Sequence, residues 1–522
     1  MTLVSACISS MKQMFLILFV LMLCAHGSVA TEPPVNVLFI LTDNQAASLI
    51  GSYNNPDIRT PNIDQLAHDG IRFERAYAVN GMCSPTRATL MTGLMPSQHG
   101  IHSWLDDAML NDWPRNWSAV AEFRTLPLTL RNRGYQTAMI GKWHLGQPWK
   151  ASLGYEYWVT FTDGHTVDFW NNNIIDNDLT YPVKDRHIVD FFTEKAVDYI
   201  NSYEGKRPFY LQLNYDGPYT NPPTNLGPAR NRFYPDYVGT DFESFPRVAV
   251  HPNVVEQLLD PATSPFFVEK LSQLIAMHND PATMANVASQ NTLVDEGVGR
   301  VLAALEKNGL TENTVVIFSA DQGNFYGQHG LWQHTIVTKP ASMFETAMNV
   351  PLIVRHPEQI KAGQVSSELI GQYDIPVTIL DYLSVTDVEF DNSPGRSFTP
   401  LLRGEVVNWN DAVFFEQEET RCVRTDRYAY CQRLRTTGKP ELYDTLKDPG
   451  QNHNVHADQV YAEVVERLEQ RLKEFFAAYS DEEYDLWQGG VAKGSVDRPE
   501  MFRRLYGDDW RALAIVKPAF EE

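Results

Sequence analysis

A cysteine begins residues 83–93, CSPTRATLMTG, and is followed at short, fixed distances by proline and arginine. Pro85 suits the first turn of a helix, because its φ is already near the helical value and it lacks an N–H group. The run therefore predicts a helix that ends at Gly93 and has Cys83 at its N-terminus. The partial positive charge there, with Arg87 one turn further on, favours an anion or an anionic nucleophile. A buried cysteine without a chemical role and an ordinary thiolate nucleophile are the alternatives.

Two predicted strands end in side chains that offer oxygen atoms to a metal ion. Asp43 and Asn44 follow one apolar run, and Asp321 and Gln322 follow another. Open α/β sheets bind ligands at the carboxyl ends of their strands, so these four side chains would lie close together. Either pair alone is typical of a turn. Together, their oxygen atoms favour a hard cation such as Ca²⁺ or Mg²⁺ rather than zinc.

The cysteine run resembles the signature of the type I sulfatases, formylglycine-dependent enzymes of the alkaline phosphatase superfamily. The resemblance implies that a formylglycine-generating maturation enzyme oxidises Cys83 to an aldehyde, whose hydrate is the nucleophile. It also implies that calcium is held by the residue at position 83 with Asp43, Asn44, Asp321 and Gln322. Asp is common in the family where Asn44 stands, and Asn or His is common where Gln322 stands. These departures lower the negative charge of the implied calcium site.

Residues 134–144, GYQTAMIGKWH, resemble the second signature of the same family, with Lys142 and His144 as the functional pair. A strand that ends in Lys-x-His presents both side chains on one face. Beside Arg87, they would form the cationic pocket that a sulfate ester requires. The resemblance extends over residues 35–476.

Two further positions depart from the family pattern. Tyr219 follows Pro218 where the family usually has a histidine that contacts sulfate and protonates the leaving alcohol. A phenol has an ordinary pKa near 10 and is a weaker acid than imidazolium, so Tyr219 or a remote histidine such as His165 could take that role. The family's other sulfate-binding lysine has two candidates here, Lys339 and His334. We favour His334, whose charge would then depend on pH.

The elements that must position these residues follow an alternating pattern. Short apolar runs rich in β-branched or aromatic residues are typical of strands buried on both faces, and amphipathic segments with helical spacing lie between them. The pattern predicts an α/β fold with a large doubly wound, mixed but mostly parallel sheet flanked by helices. We assign this catalytic domain to residues 31–403. The runs are at 35–41, 137–140, 209–213, 314–318 and 351–354, and the amphipathic segments include 188–199 and 294–307.

The pattern of apolar and polar residues changes near residue 404. Short strand-like runs at 413–416, 422–424 and 428–432 precede one long helical pattern at 457–478. These features predict a smaller C-terminal α+β domain with an antiparallel sheet over residues 404–522. Its last part, from residue 481, has no clear period and predicts an irregular tail.

Residues 1–30 are typical of a secretory signal peptide. Lys12 precedes an apolar segment, residues 14–24, that is too short to span a bilayer, and Ser28-Val29-Ala30 forms a small-residue cleavage site. No later segment is apolar enough for a membrane anchor. We therefore expect a periplasmic or secreted protein.

Removal of that signal peptide leaves Cys83, Cys422 and Cys431. An odd number of cysteines in an exported protein calls for an explanation, and conversion of Cys83 supplies one. Cys422 and Cys431 would then be free to pair if they lie opposite each other on neighbouring strands.

Composition limits the possible partners. The chain has 522 residues, of which 43% are apolar, enough for a sizeable core. Its formal net charge of −22 argues against nucleic acid or an anionic membrane surface as a partner. The function we predict is hydrolysis of sulfate esters on a sulfated carbohydrate or polysaccharide, held by a local basic pocket. The alternatives are a phosphonate monoester or phosphodiester hydrolase with the same machinery, and a catalytically silent protein that binds sulfated glycans.

Overall fold

The computed structural model describes residues 34–105, 113–166, 168–219, 224–494, 496–511 and 517–520. The predicted signal peptide lies outside these residues. From Asn36 onward the chain forms one compact unit. None of its described helices has the length and apolar character needed to cross a bilayer.

The described strands form three sheets. The main sheet has ten strands, a second has two within residues 325–333, and a third has four within residues 412–444. In chain order the strands are β1 (Asn36–Asp43), β2 (Ile71–Tyr77), β3 (Gln136–Gly141), β4 (Tyr157–Phe161), β5 (Asn172–Asp176), β6 (Leu179–Val183), β7 (Phe209–Pro218), β8 (Thr314–Ala320), β9 (Phe325–Tyr326), β10 (Trp332–Gln333), β11 (Asn349–Arg355), β12 (Gln364–Gly371), β13 (Ala412–Gln417), β14 (Thr420–Thr425), β15 (Tyr428–Arg433) and β16 (Glu441–Asp444).

The main sheet has the strand order β12-β2-β11-β8-β1-β7-β3-β4-β5-β6. The central strand β1 is parallel to both neighbours, β7 and β8, and β3 is parallel to β7. β11 and β5 run antiparallel to their neighbours, so the sheet is mixed. This arrangement confirms the predicted mostly parallel sheet. The carboxyl ends of β1, β3, β7 and β8 meet at one edge, where such sheets bind ligands.

Helices cover both faces of the main sheet. Because side chains alternate along a strand, Leu38 and Ile40 of β1 face a core that includes the helices at 188–201 and 281–307. Val315 and Ile317 of β8 face the helix at 374–382 instead. The described helices are α1 (Pro61–His68), α2 (Cys83–Thr92), α3 (Pro96–His99), α4 (Leu126–Asn132), α5 (Ile188–Asn201), α6 (Pro252–Leu259), α7 (Pro265–Met277), α8 (Pro281–Lys307), α9 (Glu345–Met348), α10 (Asp374–Tyr382), α11 (Thr399–Leu402), α12 (Ala462–Ala478) and α13 (Pro499–Tyr506).

The four-stranded sheet confirms the antiparallel element predicted near the C-terminus. Its strands pair in chain order, and α12 packs on it through Leu468, Leu472 and Phe476. Cys422 of β14 lies directly opposite Cys431 of β15, and the two form a disulfide. The domain boundary after residue 403 stays a prediction.

The end of the chain contains more regular structure than the sequence pattern indicates. α13 lies within it, and Phe502 and Trp510 pack with Leu434 and Leu486 in a small cluster. The helix has only two turns, too short for a clear helical period. Two backbone hydrogen bonds join this region to the segment that follows α2, from Asp481 N to Ser97 O and from Lys493 N to Gly100 O.

Gly141 ends β3 where that strand approaches β7 most closely. Its φ is +115°, and a Cβ atom added there would lie 1.8 Å from the carbonyl oxygen of Asn214. The next residue is Lys142, whose backbone N–H donates to the same Asn214 carbonyl. Only glycine therefore lets β3 deliver Lys142 to the edge of the sheet.

Gly141→Ala should destabilise the protein much more than Gly134→Ala. Gly134 also has a positive φ, +89°, but an added Cβ would meet nothing within 4 Å. In the Gly134→Ala control, backbone strain alone should lower the free energy of unfolding by about 1–2 kcal/mol. In Gly141→Ala, the clash should lower it by about 1–3 kcal/mol more. The free energy of unfolding, measured in urea, checks this. Equal losses in the two variants would contradict the account of Gly141.

Candidate active site

Cys83 lies at the N-terminus of α2, as predicted, and all ten residues of this helix are buried. Gly93 ends the helix with a φ of 70°, and its N–H donates to Thr89 O. Ser84 contributes to the placement of the first turn, because its hydroxyl oxygen accepts a hydrogen bond from Leu105 N. The N-terminus of α2 is therefore held from outside the helix, and Cys83 has a fixed position.

Arg87 joins α2 to the ends of two central strands. Its guanidinium contacts Asp43 at 3.0 Å and Asp321 at 2.7 Å, and Nη1 donates to the backbone oxygen of Lys142. Both carboxylates are fully buried. Paired charges of this kind lower the cost of burying carboxylates at a sheet edge, and they fix the orientation of Arg87.

Lys142 is fully buried beside Cys83. Its Nζ is 2.6 Å from Asp43 Oδ2, 3.7 Å from Asp216 Oδ1 and 3.5 Å from Cys83 Sγ. Burial alone would lower the pKa of Lys142, but the charge of the Asp43 carboxylate beside it raises that pKa well above its ordinary value. The ammonium group is therefore charged at neutral pH.

The other four predicted metal ligands, Asp43, Asn44, Asp321 and Gln322, lie beside Cys83, the fifth. Side-chain atoms of Asp43, Cys83 and Asp321 that could bind a metal ion lie within 4.8 Å of one another. Gln322 donates through Nε2 to Cys83 Sγ at 3.6 Å and also to Asn44 Oδ1.

Two oxygen atoms in this group fit a role as metal ligands. Asp43 Oδ1 and Gln322 Oε1 are buried and accept no hydrogen bond. Buried oxygen atoms without donors are costly unless a cation fills the space between them. The residues present therefore fit a metal ion, and their all-oxygen character suits Ca²⁺ or Mg²⁺.

Three residues around Cys83 adopt backbone conformations that are unfavourable for side chains larger than hydrogen. Asn44, His144 and Gln333 have φ values of 58°, 57° and 75°. Each lies at the end of a strand that reaches the site or in the residues just beyond it. Such conformations persist where surrounding structure enforces them, and they cluster at functional sites.

A cavity of about 160 Å³ opens onto Cys83. His144, His165, Tyr219 and His334 line it. The His144 and His165 rings are 4.3 Å apart, and Lys142 Nζ lies 4.7 Å from the centre of the Tyr219 ring. The catalytic residues predicted from the sequence thus lie together at the cavity, with Arg87 and Lys142 behind it. Lys339 is the exception.

The protonation states of two histidines follow from burial. His144 Nε2 lies 3.0 Å from Leu105 O, which can only accept, so Nε2 carries the proton and Nδ1 is free to accept one. Burial, with the nearby cations, lowers the pKa of His144 well below its usual value. Burial also lowers the pKa of His334 to about 3. His334 is therefore neutral at the pH values at which enzymes usually work, in contrast to the expected pH-dependent charge.

Lys339 lies away from Cys83. Its side chain lines a second, wider cleft, and Nζ lies 5.1 Å from the centre of the Phe267 ring. Of the two candidates for the second sulfate contact, the structure brings His334 to the cavity and leaves Lys339 outside it.

Comparisons with known proteins address the family directly. The family model described as "Sulfatase" matches residues 35–385, and the model described as "N-sulphoglucosamine sulphohydrolase, C-terminal" matches residues 327–478. The first covers more than half of the chain. The protein belongs to the sulfatase family. The resemblance to formylglycine-dependent sulfatases of the alkaline phosphatase superfamily is thereby confirmed, and the chain is a sulfuric ester hydrolase.

Individual relatives align with nearly the whole length of this chain. The chain is 26% identical over 538 residues to the N-acetylglucosamine-6-O-sulfatase of Bacteroides thetaiotaomicron, covering 90% of this chain and 91% of the relative. It is 26% identical to the N-sulphoglucosamine sulphohydrolase of Homo sapiens, covering 87% and 91%. A solved structure with bound D-glucosamine-2-N,6-O-disulfate, described as its substrate, has a TM-score of 0.67 and 24% identity, covering 87% and 99%.

Several residues of the sulfatase site were missed by the sequence analysis. Asp216 is fully buried beside Lys142, but in the sequence it precedes Gly217-Pro218 and has the pattern of a turn. Lys270 and Trp104 line the cavity, but Lys270 is one of many charges on amphipathic helices, and Trp104 has no spacing that marks it. Only their distance from Cys83 in the folded chain identifies them.

Asp321→Asn should weaken metal binding and activity together, because it removes one carboxylate charge while keeping the size of the side chain. We expect at least a ten-fold loss of metal affinity, since a charged ligand is replaced by a neutral one. Metal content by elemental analysis and turnover of an aryl sulfate provide the measurements. Asp381→Asn, on α10 away from the site, is the control. Unchanged metal content in the Asp321 variant would refute the assignment.

His334→Ala should reduce kcat/KM for a small aryl sulfate at least ten-fold more than Lys339→Ala does. We expect this difference because, of the two residues, only His334 lines the cavity that opens onto Cys83. Because His334 is already neutral, His334→Gln should leave the pH profile of kcat/KM between pH 5 and 8 unchanged in shape. A larger loss in the Lys339 variant would reverse the assignment, and a lost inflection near pH 6 would show that His334 titrates.

Proposed function

We propose that this sulfatase hydrolyses sulfate esters of a sulfated carbohydrate, using a formylglycine formed from Cys83 and a bound calcium ion. The observation that carries the proposal is the arrangement around Cys83. Asp43, Asn44, Asp321 and Gln322 lie on one side of it, and the cavity with His144 and His334 opens on another. The names of its relatives support a carbohydrate substrate, since sulfatases acting on N-acetylglucosamine and sulphoglucosamine are among them.

Burial disfavours the alternative of an ordinary thiolate nucleophile. Cys83 is 2% exposed, and burial raises the pKa of its thiol to about 12 despite the nearby charge of Lys142. An unmodified Cys83 would therefore stay protonated at neutral pH and would be a poor nucleophile. Hydrated formylglycine would supply one hydroxyl group to attack sulfur and a second that allows sulfate to leave.

The cations around position 83 have defined tasks in this proposal. Calcium, held by Asp43, Asn44, Asp321 and Gln322, would supply a positive charge to the oxygen atoms of the sulfate group. Lys142 is close enough to position 83 to hold a sulfate oxygen. Arg87 keeps Asp43 and Asp321 in place, and its charge contributes to the potential that attracts the anionic group. Charges fixed before substrate arrives stabilise the transition state without reorganisation.

Proton transfer falls to the residues that line the cavity. His144 has a free Nδ1 and a lowered pKa, so it can accept the proton of the hydroxyl group whose oxygen expels sulfate. The leaving alcohol needs a proton in the preceding step. Tyr219 and His165 both line the cavity and are the candidates for this acid.

Cys83→Ala should abolish turnover of an aryl sulfate, with a loss of at least about 10³-fold, because no nucleophile remains. Its melting temperature should match that of the parent protein, since a small buried side chain is replaced by another. In the active parent, mass spectrometry of the peptide that contains residue 83 should show the mass of the aldehyde in place of the thiol.

Two results would contradict this proposal. Active enzyme with only unmodified cysteine at position 83 would rule out formylglycine. Faster cleavage of an aryl phosphonate than of the matching aryl sulfate would favour the phosphonate hydrolase, whereas tight binding of sulfated sugars without any turnover would indicate a silent binding protein.

A further inference from the structure

A wide cleft adjoins the cavity of Cys83. Its volume is about 1120 Å³, compared with about 160 Å³ for the cavity itself. Pockets that hold a single small ligand usually measure about 300–1,000 Å³. The cavity at Cys83 has room for little more than the sulfated part of one sugar, and the cleft beside it has room for several sugars.

Aromatic side chains connect the cleft to the cavity. Trp104, Phe266 and Phe267 line both. The rings of Trp104 and Phe266 are stacked, with centres 6.1 Å apart, and Phe266 is 46% exposed. An exposed aromatic face at the mouth of a polar site suits the apolar C–H face of a sugar ring.

The cleft also contains basic side chains that are available to an anionic ligand. Lys339 and Arg504 line it, and Lys270 lies in the adjoining cavity. None of the three forms an ion pair with a carboxylate in the part of the chain that the structure describes. Carboxylates of the same cleft balance much of this positive charge, so the three cations act as local points of contact for anionic groups and not as a uniformly positive surface.

Acidic groups in the same cleft indicate which class of anionic ligand it can bind. Asp260, Asp497 and Glu500 line it near Lys339. Carboxylates repel a uniformly charged polyanion such as nucleic acid but accept hydrogen bonds from hydroxyl groups. In this cleft, cations can contact sulfate groups, carboxylates can accept hydrogen bonds from hydroxyl groups, and aromatic faces can pack on sugar rings. This combination matches a sulfated oligosaccharide.

We propose that this cleft binds the neighbouring sugars of a polymeric sulfated substrate, with Arg504 and Lys339 contacting additional sulfate or carboxylate groups. The proposal rests on the proposed function, because it takes the cavity at Cys83 as the place where the sulfate ester is cleaved. The enzyme therefore prefers chains of several sugars to single sulfated sugars.

Arg504→Ala tests the cleft, and Arg503→Ala is the matched control. Both residues lie in the last turn of α13, but only Arg504 lines the cleft. Arg503 forms an ion pair with Glu500 at 3.7 Å, but both side chains are exposed and such a pair contributes little. The substrates are disaccharides and hexasaccharides from heparan sulfate, chondroitin sulfate and ulvan, with an aryl sulfate as a substrate too small to reach the cleft. In the series that is cleaved, kcat/KM should rise at least ten-fold from disaccharide to hexasaccharide.

Arg504→Ala should remove most of that gain, about ten-fold, and leave aryl sulfate turnover unchanged, while Arg503→Ala should change neither. Binding to the inactive Cys83→Ala variant, measured by calorimetry, provides a second readout that needs no turnover. There, hexasaccharides should bind at least ten-fold more tightly than disaccharides, and the difference should shrink in high salt.

Equal kcat/KM and equal affinity for the two lengths, or equal effects of the Arg504 and Arg503 variants, would overturn the cleft proposal even with an active sulfatase. Failure to release sulfate from the aryl sulfate and from every oligosaccharide, in enzyme that contains formylglycine, would instead overturn the proposed function. In that event the calorimetric comparison of hexasaccharide with disaccharide still decides whether the cleft binds longer chains.

Discussion

Two buried carboxylates, Asp43 and Asp321, lie side by side at the carboxyl edge of the main sheet, and they could not stay charged there without the cations that contact them. Arg87 contacts both, and Lys142 contacts Asp43. The same ion pairs therefore hold together the ends of β1 and β8, the first turns of α2 and the end of β3. Cys83 takes its position from this cluster, as does each group that would act with it.

The cluster also explains why the surrounding backbone is unusual. β3 reaches the site only because Gly141 allows its close approach to β7, and Asn44 and His144 hold positive φ values just beyond two strand ends. These conformations cost energy that the rest of the sheet must supply. The resulting site is rigid, so its charges are already in place and need not move when the reaction begins.

Much of the site could be predicted from the sequence, because its residues lie at the ends of elements with clear patterns. Asp43 and Asp321 follow apolar strands, so their proximity followed from the rules of parallel sheets. The place of Cys83 and Lys142 beside them was implied by the resemblance to the sulfatase signatures. Residues 250–280 and the end of the chain are different. Their helices are short or surface-exposed, and no local pattern reveals that Lys270 and Arg504 approach the same opening from segments far apart in sequence. The choice between His334 and Lys339 likewise depended on a loop path that spacing does not determine.

The burial of Cys83 also limits when its modification could occur relative to folding. The segment that follows α2 is hydrogen-bonded to residues 481 and 493, so the surroundings of this helix are complete only after almost all of the polypeptide has been made. A cysteine that is 2% exposed offers no surface to a second protein once those contacts have formed. The maturation enzyme of the proposed function would therefore have to act on a chain that has not yet folded. A chain that folds before it meets the maturation enzyme would be stable and permanently inactive.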